Sequence, residues 1–298
     1  MPLVSTASIV DPAHHNGEGV AAFNVITLEH AEAIAAGAER AGQPAILQIS
    51  ENAVRFHHGR LRPLAAAVVA VAGESSARLA VHLDHVEDAA LLRQVAGTGI
   101  SSVMFDASKL DYQANVAATR EAAQWAHEHE IWVEAELGEI GGKDGAHAPG
   151  VRTDPGDAHE FVAATLVDGL AVAVGSSHAM VDRTAALDIP LIRDLARRLA
   201  VPLVLHGSSG VPDAALAAAV RAGMVKINVG TILNVAFTRA VREHLASDED
   251  VVDPRRYLSP ARDAVCDEVA RILSVISTAR SSSSPSTWEP SPPPKERT

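Results

Sequence analysis

His206-Gly207-Ser208-Ser209-Gly210 follows directly on the apolar run 201–205. A potential metal ligand therefore stands at the C-terminal end of a buried strand, beside a glycine-rich turn whose amides suit a phosphate. The pattern recurs along the chain: an apolar strand, polar residues at its exit, then a helix. In order, the exits offer Asn24, then Gln48 and Ser50, Asp84 and His85, Asp106, Glu136, His178, His206, and last Asn228 with Thr231. Three histidines and three carboxylates are an odd way to build a core. They are a natural way to build a divalent metal site with a proton-transfer partner.

These residues lie far apart in the chain, so a fold must gather them. Strands are expected at 20–25, 44–49, 79–83, 101–105, 131–136, 169–174, 201–206 and 224–228. Helices are expected at 28–41, 61–73, 88–97, 111–129, 156–166, 188–199, 213–221 and 231–245. Near-continuous apolar strands joined by helices mean a parallel sheet covered on both faces. Eight such units in about 250 residues predict an α/β fold, a single-domain (β/α)8 TIM barrel, with an open doubly wound sheet as the alternative. In such a barrel the strand C-termini share one mouth. Alone, His85, His178 and His206 would each be an ordinary histidine; at one mouth they form a set that leaves a fourth position open for substrate, as catalytic zinc requires. His82, two residues before Asp84 and on its side of the strand, reads as barrel filling rather than as a partner that orients Asp84. The remaining histidines read mostly as solvated.

Two stretches suit an anion. Gly207, Ser208 and Ser209 follow the seventh strand; Asn228, Val229, Gly230 and Thr231 follow the eighth and open a helix. Amides at a helix start attract anions, and this fold commonly holds phosphate after its last two strands. Either stretch alone fits ordinary turn chemistry, with Thr231 a good N-cap; together they predict a phosphate site. The Gly- and Pro-rich segment 138–155 at the fifth exit reads as a mobile lid.

The bulk properties narrow the class. Hydrophobic residues at 47% allow a sizeable core, which aliphatic side chains must fill because aromatics are only 3%. A net charge of −12 argues against a nucleic-acid partner and leaves any anionic substrate to local features. Cys266 is the single cysteine, so no internal disulfide is possible and a reducing cytoplasm fits. The N-terminus shows no basic region followed by an apolar stretch, and no run reaches about 18 apolar residues, so neither a signal peptide nor a membrane span is expected. The barrel domain is expected over 1–277, and the Ser- and Pro-rich 278–298 is expected to be disordered.

Together the motifs resemble the class II, metal-dependent ketose-bisphosphate aldolases, the fructose-1,6-bisphosphate enzymes and their tagatose-1,6-bisphosphate relatives. The resemblance rests on AFNV at 22–25, HLDH at 82–85, DAS at 106–108, VEAELGEIGG at 133–142, GSSHAM at 175–180, HGSSG at 206–210, KINVGT at 226–231 and DPRRYLSPAR at 253–262. It implies reversible cleavage of fructose-1,6-bisphosphate, or tagatose-1,6-bisphosphate, to dihydroxyacetone phosphate and glyceraldehyde 3-phosphate. Asp84 then resembles the acid/base that handles the C4 hydroxyl proton, and His85, His178 and His206 the ligands of catalytic zinc (Zn2+). Asp106 and Glu136 resemble ligands of a second divalent position. Gly207, Ser208, Ser209 and Asn228 through Thr231 resemble the cradle of the dihydroxyacetone phosphate group, with a monovalent cation (Na+ or K+) nearby. Arg262 resembles an arginine that crosses a dimer to the far phosphate, with Ser50 assisting; Asn24 and Gln48 line the site. Ala179 stands where the family often has glycine and still offers its amide. A homodimer or tetramer in cytoplasmic carbohydrate metabolism, glycolysis included, is implied as well.

Two departures stand out. The family's lid carries a glutamate after its glycine pair, whereas Gly142 is followed by Lys143-Asp144-Gly145, so Asp144 would take over proton transfer with a shorter reach. Gly230 is neither of the family's usual residues there and does not mark the C4 stereochemistry. The alternative aldolase strategy, a lysine imine, has only Lys226 as a serious candidate and leaves the histidines without a purpose. Three other readings stay open: an aldolase for another phosphorylated ketose, a non-catalytic sugar-phosphate binder, and a metal hydrolase, which would need a His-x-His pair that the first strand lacks.

Overall fold

The strands are buried on both faces, which requires a sheet covered on both sides. The computed structural model describes residues 3–137, 152–176 and 182–278. Its eight parallel strands close into a barrel in chain order: β1 (Val20–Asn24), β2 (Ala45–Ser50), β3 (Leu79–Val86), β4 (Ser102–Phe105), β5 (Trp132–Glu136), β6 (Gly169–Ala171), β7 (Leu203–Leu205) and β8 (Met224–Val229). β8 pairs back onto β1 through Val20↔Lys226 and Ala22↔Asn228, which shuts the ring. The open-sheet alternative is thereby excluded.

Helices cover the outside: α1 (Ala7–Asn16), α2 (Leu28–Ala41), α3 (Glu51–Phe56), α4 (Leu61–Glu74), α5 (Ala89–Arg93), α6 (Tyr112–Glu128), α7 (Pro155–Thr165), α8 (Ile189–Arg198), α9 (Asp213–Ala222), α10 (Thr231–Ser247) and α11 (Arg255–Thr278). Phe23, Leu47, Leu83 and Ile227 of the barrel wall join Ile34, Val68 and Leu195 of the helices in one core, filled mainly by aliphatic side chains. α1 closes the N-terminal end of the barrel, where Ile9, Val10 and Ala13 pack on Val20, Ala22, Ile46, Ala80 and Trp132. Among the described residues no helix is long and apolar enough to cross a membrane.

Several elements depart from the sequence expectation. α1 and α11 each carry an internal proline (Pro12 and Pro260), which hides their helical pattern. Tertiary packing supplies what the pattern lacks: α11 buries Val265, Val269, Ile272, Leu273 and Ile276 as a stripe in the core shared with α2. α3 is a single six-residue element, too short for a periodic signal. β6 and β7 shrink to three residues each, although Val172, Val174 and His206 beyond them remain buried. β3 does the reverse and runs to Val86, straight through the polar pair expected at its exit.

Candidate active site

The C-terminal strand ends enclose a pocket of about 190 Å³ lined by Asn24, Gln48, Ser50, Asp84, His85, His206, Gly207, Ser208, Ser209, Asn228, Gly230 and Thr231, together with Asn52 and Asn234. The last two were not anticipated. Asn52 sits on α3 and Asn234 on the first turn of α10, both just past a strand exit, and that position was the only signal available.

Alternation along a strand would send Asp84 and His85 to opposite faces. The β3–β4 ladder shifts register between Leu83 and Val86, and His85 takes φ +49°. This irregularity re-aims the strand so that both neighbours line the pocket. A left-handed backbone at a histidine costs about 1–3 kcal/mol, which the surrounding barrel must offset.

Asp84 is buried. Its Oδ2 accepts a hydrogen bond from Gln48 Nε2 at 2.9 Å, and the same nitrogen lies 2.9 Å from Asn24 Oδ1. Its Oδ1 is buried with no hydrogen-bond partner. Burial pushes this carboxyl up, but the charge of His85, the approach of the His82 imidazole and the charge of His206 outweigh it and hold the group well below the usual carboxylate range. His82 Nε2 lies 3.7 Å from Oδ1, while its Nδ1 meets Ser102 Oγ at 2.8 Å. His82 thus fills the barrel as expected and also faces Asp84.

His85 and His206, the two candidate metal-binding histidines among the described residues, are each held from behind. His85 Nδ1 donates to Asp106 Oδ2 at 2.9 Å, which turns Nε2 toward the pocket. Asp106 is itself gripped by the Ser108 amide and hydroxyl. Burial raises the Asp106 carboxyl, yet His85 and Ser108 more than reverse this. His206, fully buried, has Nε2 2.8 Å from Glu134 Oε1 and Nδ1 3.0 Å from His85 Nε2. Its carbonyl accepts from Ser176 Oγ at 2.6 Å.

The donors suit a divalent cation. Atoms of Asp84, His85 and His206 lie within 4.8 Å of one another, as do those of His85, Asp106 and Glu136. Burial lowers the His85 imidazole, but the carboxylates of Asp84, Asp106 and Glu136 raise it to about 10. A pocket that drives a histidine that far is short of positive charge, and imidazole plus carboxylate donors match zinc.

The two turns expected to suit an anion lie at the pocket, with two corrections. Gly207 adopts φ +66° and leads into the 3-10 turn Ser208–Gly210. The N-cap of α10 is Gly230 rather than Thr231, which is the first helical residue. The missing cap oxygen comes from the neighbouring turn, where Ser209 Oγ accepts from the Ile232 amide at 3.2 Å. The Val229 side chain points into the core and not into the pocket.

Other residues are placed differently. Lys226 is fully buried and donates to Asn228 Oδ1 at 2.7 Å, Glu134 Oε2 at 2.8 Å and Gln48 Oε1 at 3.2 Å, an ammonium with three acceptors and a poor imine former. Arg262 lies on α11, paired with Glu32 of α2 at 2.9 Å, and does not line the pocket of its own chain. Glu134, which carries His206, was not singled out in the sequence. His178, Ala179 and Asp144 fall outside the described residues.

Gly175, just past the buried run 172–174, has φ +116°, and a Cβ there would sit 2.3 Å from the Ala186 carbonyl oxygen. Gly175→Ala is expected to cost about 1–3 kcal/mol of stability through strain and overpacking, read by urea unfolding. An unchanged midpoint would mean that the backbone at Gly175 and Ala186 yields freely.

A family model described as fructose-bisphosphate aldolase class-II matches residues 4–281. A probable fructose-bisphosphate aldolase of Bacillus subtilis (strain 168) is 38% identical over 273 residues, covering 90% of this chain and 95% of that one. Among solved structures, the YdjI aldolase of Escherichia coli K12 superposes with a TM-score of 0.79 at 28% identity, over 92% of this chain and 97% of that one. A putative fructose-1,6-bisphosphate aldolase from Coccidioides immitis gives 0.79 at 27% identity, over 93% and 96%.

Proposed function

Because the chain belongs to the class II fructose-bisphosphate aldolase family, and is thus an aldehyde-lyase, we propose that it cleaves fructose-1,6-bisphosphate, or its tagatose epimer, reversibly and with zinc. The products are dihydroxyacetone phosphate and glyceraldehyde 3-phosphate. One observation carries the reading: buried Asp84 meets His85 and His206 at a barrel mouth flanked by two amide-rich turns.

His85 and His206 would hold the ion, with His178 as the third ligand. A zinc ion bound there supplies Lewis-acid polarisation of the ketose carbonyl and offsets the negative charge that cleavage leaves behind. Asp84 accepts the C4 hydroxyl proton as the C3–C4 bond breaks; the bonding pair stays with C3, and C4 becomes the aldehyde carbon. Gln48 holds Oδ2 and His82 faces Oδ1, so the carboxylate is fixed between them. In condensation the proton returns by the same route.

The Gly207–Ser209 turn and the start of α10 cradle the C1 phosphate through backbone amides and the helix dipole. Asp106 serves first to orient His85, and with Glu136 offers an alternative divalent position; a monovalent cation fits beside the phosphate. Arg262 from a second copy of the chain would meet the far phosphate, with Ser50, which makes a homodimer part of the reading. Asp144 would return a proton to C3 from the lid. Cytoplasmic carbohydrate metabolism suits such a reaction.

The test is triose-phosphate release from both bisphosphates before chelation, after it, and after zinc is restored. Loss on chelation with recovery on zinc supports the proposal, and the ratio of the two rates names the sugar. A zinc-loaded protein that cleaves neither overturns it and leaves another phosphoketose, or a binding role, in its place.

A further inference from the structure

Beneath the pocket floor, Lys226 of β8 and Glu134 of β5 form an ion pair of 2.8 Å in which both side chains are fully buried. We propose that this pair is a positioning unit that sets the metal ligand His206, the acid/base Asp84 and the phosphate turn from a single point. The proposal rests on the roles given above to Asp84 and His206.

An ammonium has three hydrogens and can only donate. Lys226 spends them on three oxygens, those of Glu134, Asn228 and Gln48. Each acceptor is a two-ended group, so fixing one end fixes what the other presents. Gln48 must turn its amide oxygen to Lys226, which leaves its NH2 to donate to Asp84 Oδ2 at 2.9 Å. Glu134, held by Oε2, offers Oε1 to His206 Nε2 at 2.8 Å. That carboxylate places the imidazole hydrogen on Nε2 and the lone pair on Nδ1, the nitrogen that faces His85. Asn228, held by its side-chain oxygen, brings its Nδ2 to 3.1 Å from His206 Nε2, while its backbone carbonyl accepts from Ser208 Oγ in the Gly207–Ser209 turn. A neutral residue at 226 could not impose all three orientations at once.

Stability does not account for the pair. Desolvation of two buried charges commonly cancels their attraction, and apolar replacements of such pairs are often neutral or better. The arrangement is explained by what it orients.

Two variants separate positioning from structure. Glu134→Asp keeps the charge beside Lys226 but shortens the arm to His206. Glu134→Gln with Lys226→Met removes both charges together and is the safer folder. Zinc affinity is measured with zinc alone by chelator competition, alongside thermal melting and steady-state kinetics. Both variants are expected to melt cooperatively, to bind zinc about 10–100-fold more weakly, and to lose kcat more than KM rises. A folded charge-free double variant with unaltered zinc affinity and unaltered kcat overturns the proposal. Because the affinity needs no sugar, a parent protein that binds zinc yet cleaves neither bisphosphate overturns the aldolase substrate reading while the positioning claim is still decided.

Discussion

Asp84→Asn is expected to lower kcat by about 10²–10⁴-fold while the protein stays folded and takes up zinc. The replacement is isosteric, and its amide oxygen can still accept the hydrogen bond that Gln48 now gives to Oδ2. What disappears is a base. Oδ1 is buried without a hydrogen-bond partner, and no other carboxylate among the described residues lines the same pocket. Glu136 and Asp106 sit on the far side of His85, and Asp106 is already engaged by it. Steady-state rates paired with metal analysis check the prediction. Near-normal turnover in this variant would falsify the acid/base assignment, whatever the metal content.

His206→Ala is expected to remove zinc and turnover together. The side chain is fully buried between His85 and Glu134, so its loss deletes a ligand, opens a void, and strands the Glu134 Oε1 atom. Groups that merely orient a ligand cost about 10–100-fold in metal affinity, so the ligand itself should cost more than 100-fold. An unpartnered buried polar group adds about 1–3 kcal/mol of destabilisation. Dialysis against a weak chelator followed by metal analysis reads the first effect, and urea unfolding reads the second. A variant that keeps one tightly held zinc per chain would exclude His206 as a ligand.

The two variants fail in distinguishable ways, which shows how far sequence reading can reach. Asp84, His85 and His206 were legible because each follows an apolar run at a strand exit, and the eight-unit count supplied the shared mouth. Glu134 was not, although it stands in the same stretch as Glu136. It lies mid-strand on the inward face, where a charge is expected only if something across the barrel matches it, and Lys226 is far away in the chain. Arg262 shows the opposite limit: the motif that names it is local, but its pairing with Glu32 depends on how α11 lies against α2. Element types survived where periodicity was long, as at 28–41, and failed where a proline or a six-residue length erased it.

The left-handed backbone at His85 has an effect on how this protein can change. Asparagine or glycine would sit there with less backbone strain, but either would leave the Asp106 carboxylate without its imidazole partner. A laboratory screen for thermal tolerance alone would therefore gain little at this position. The strained backbone and the carboxylate behind it hold each other in place.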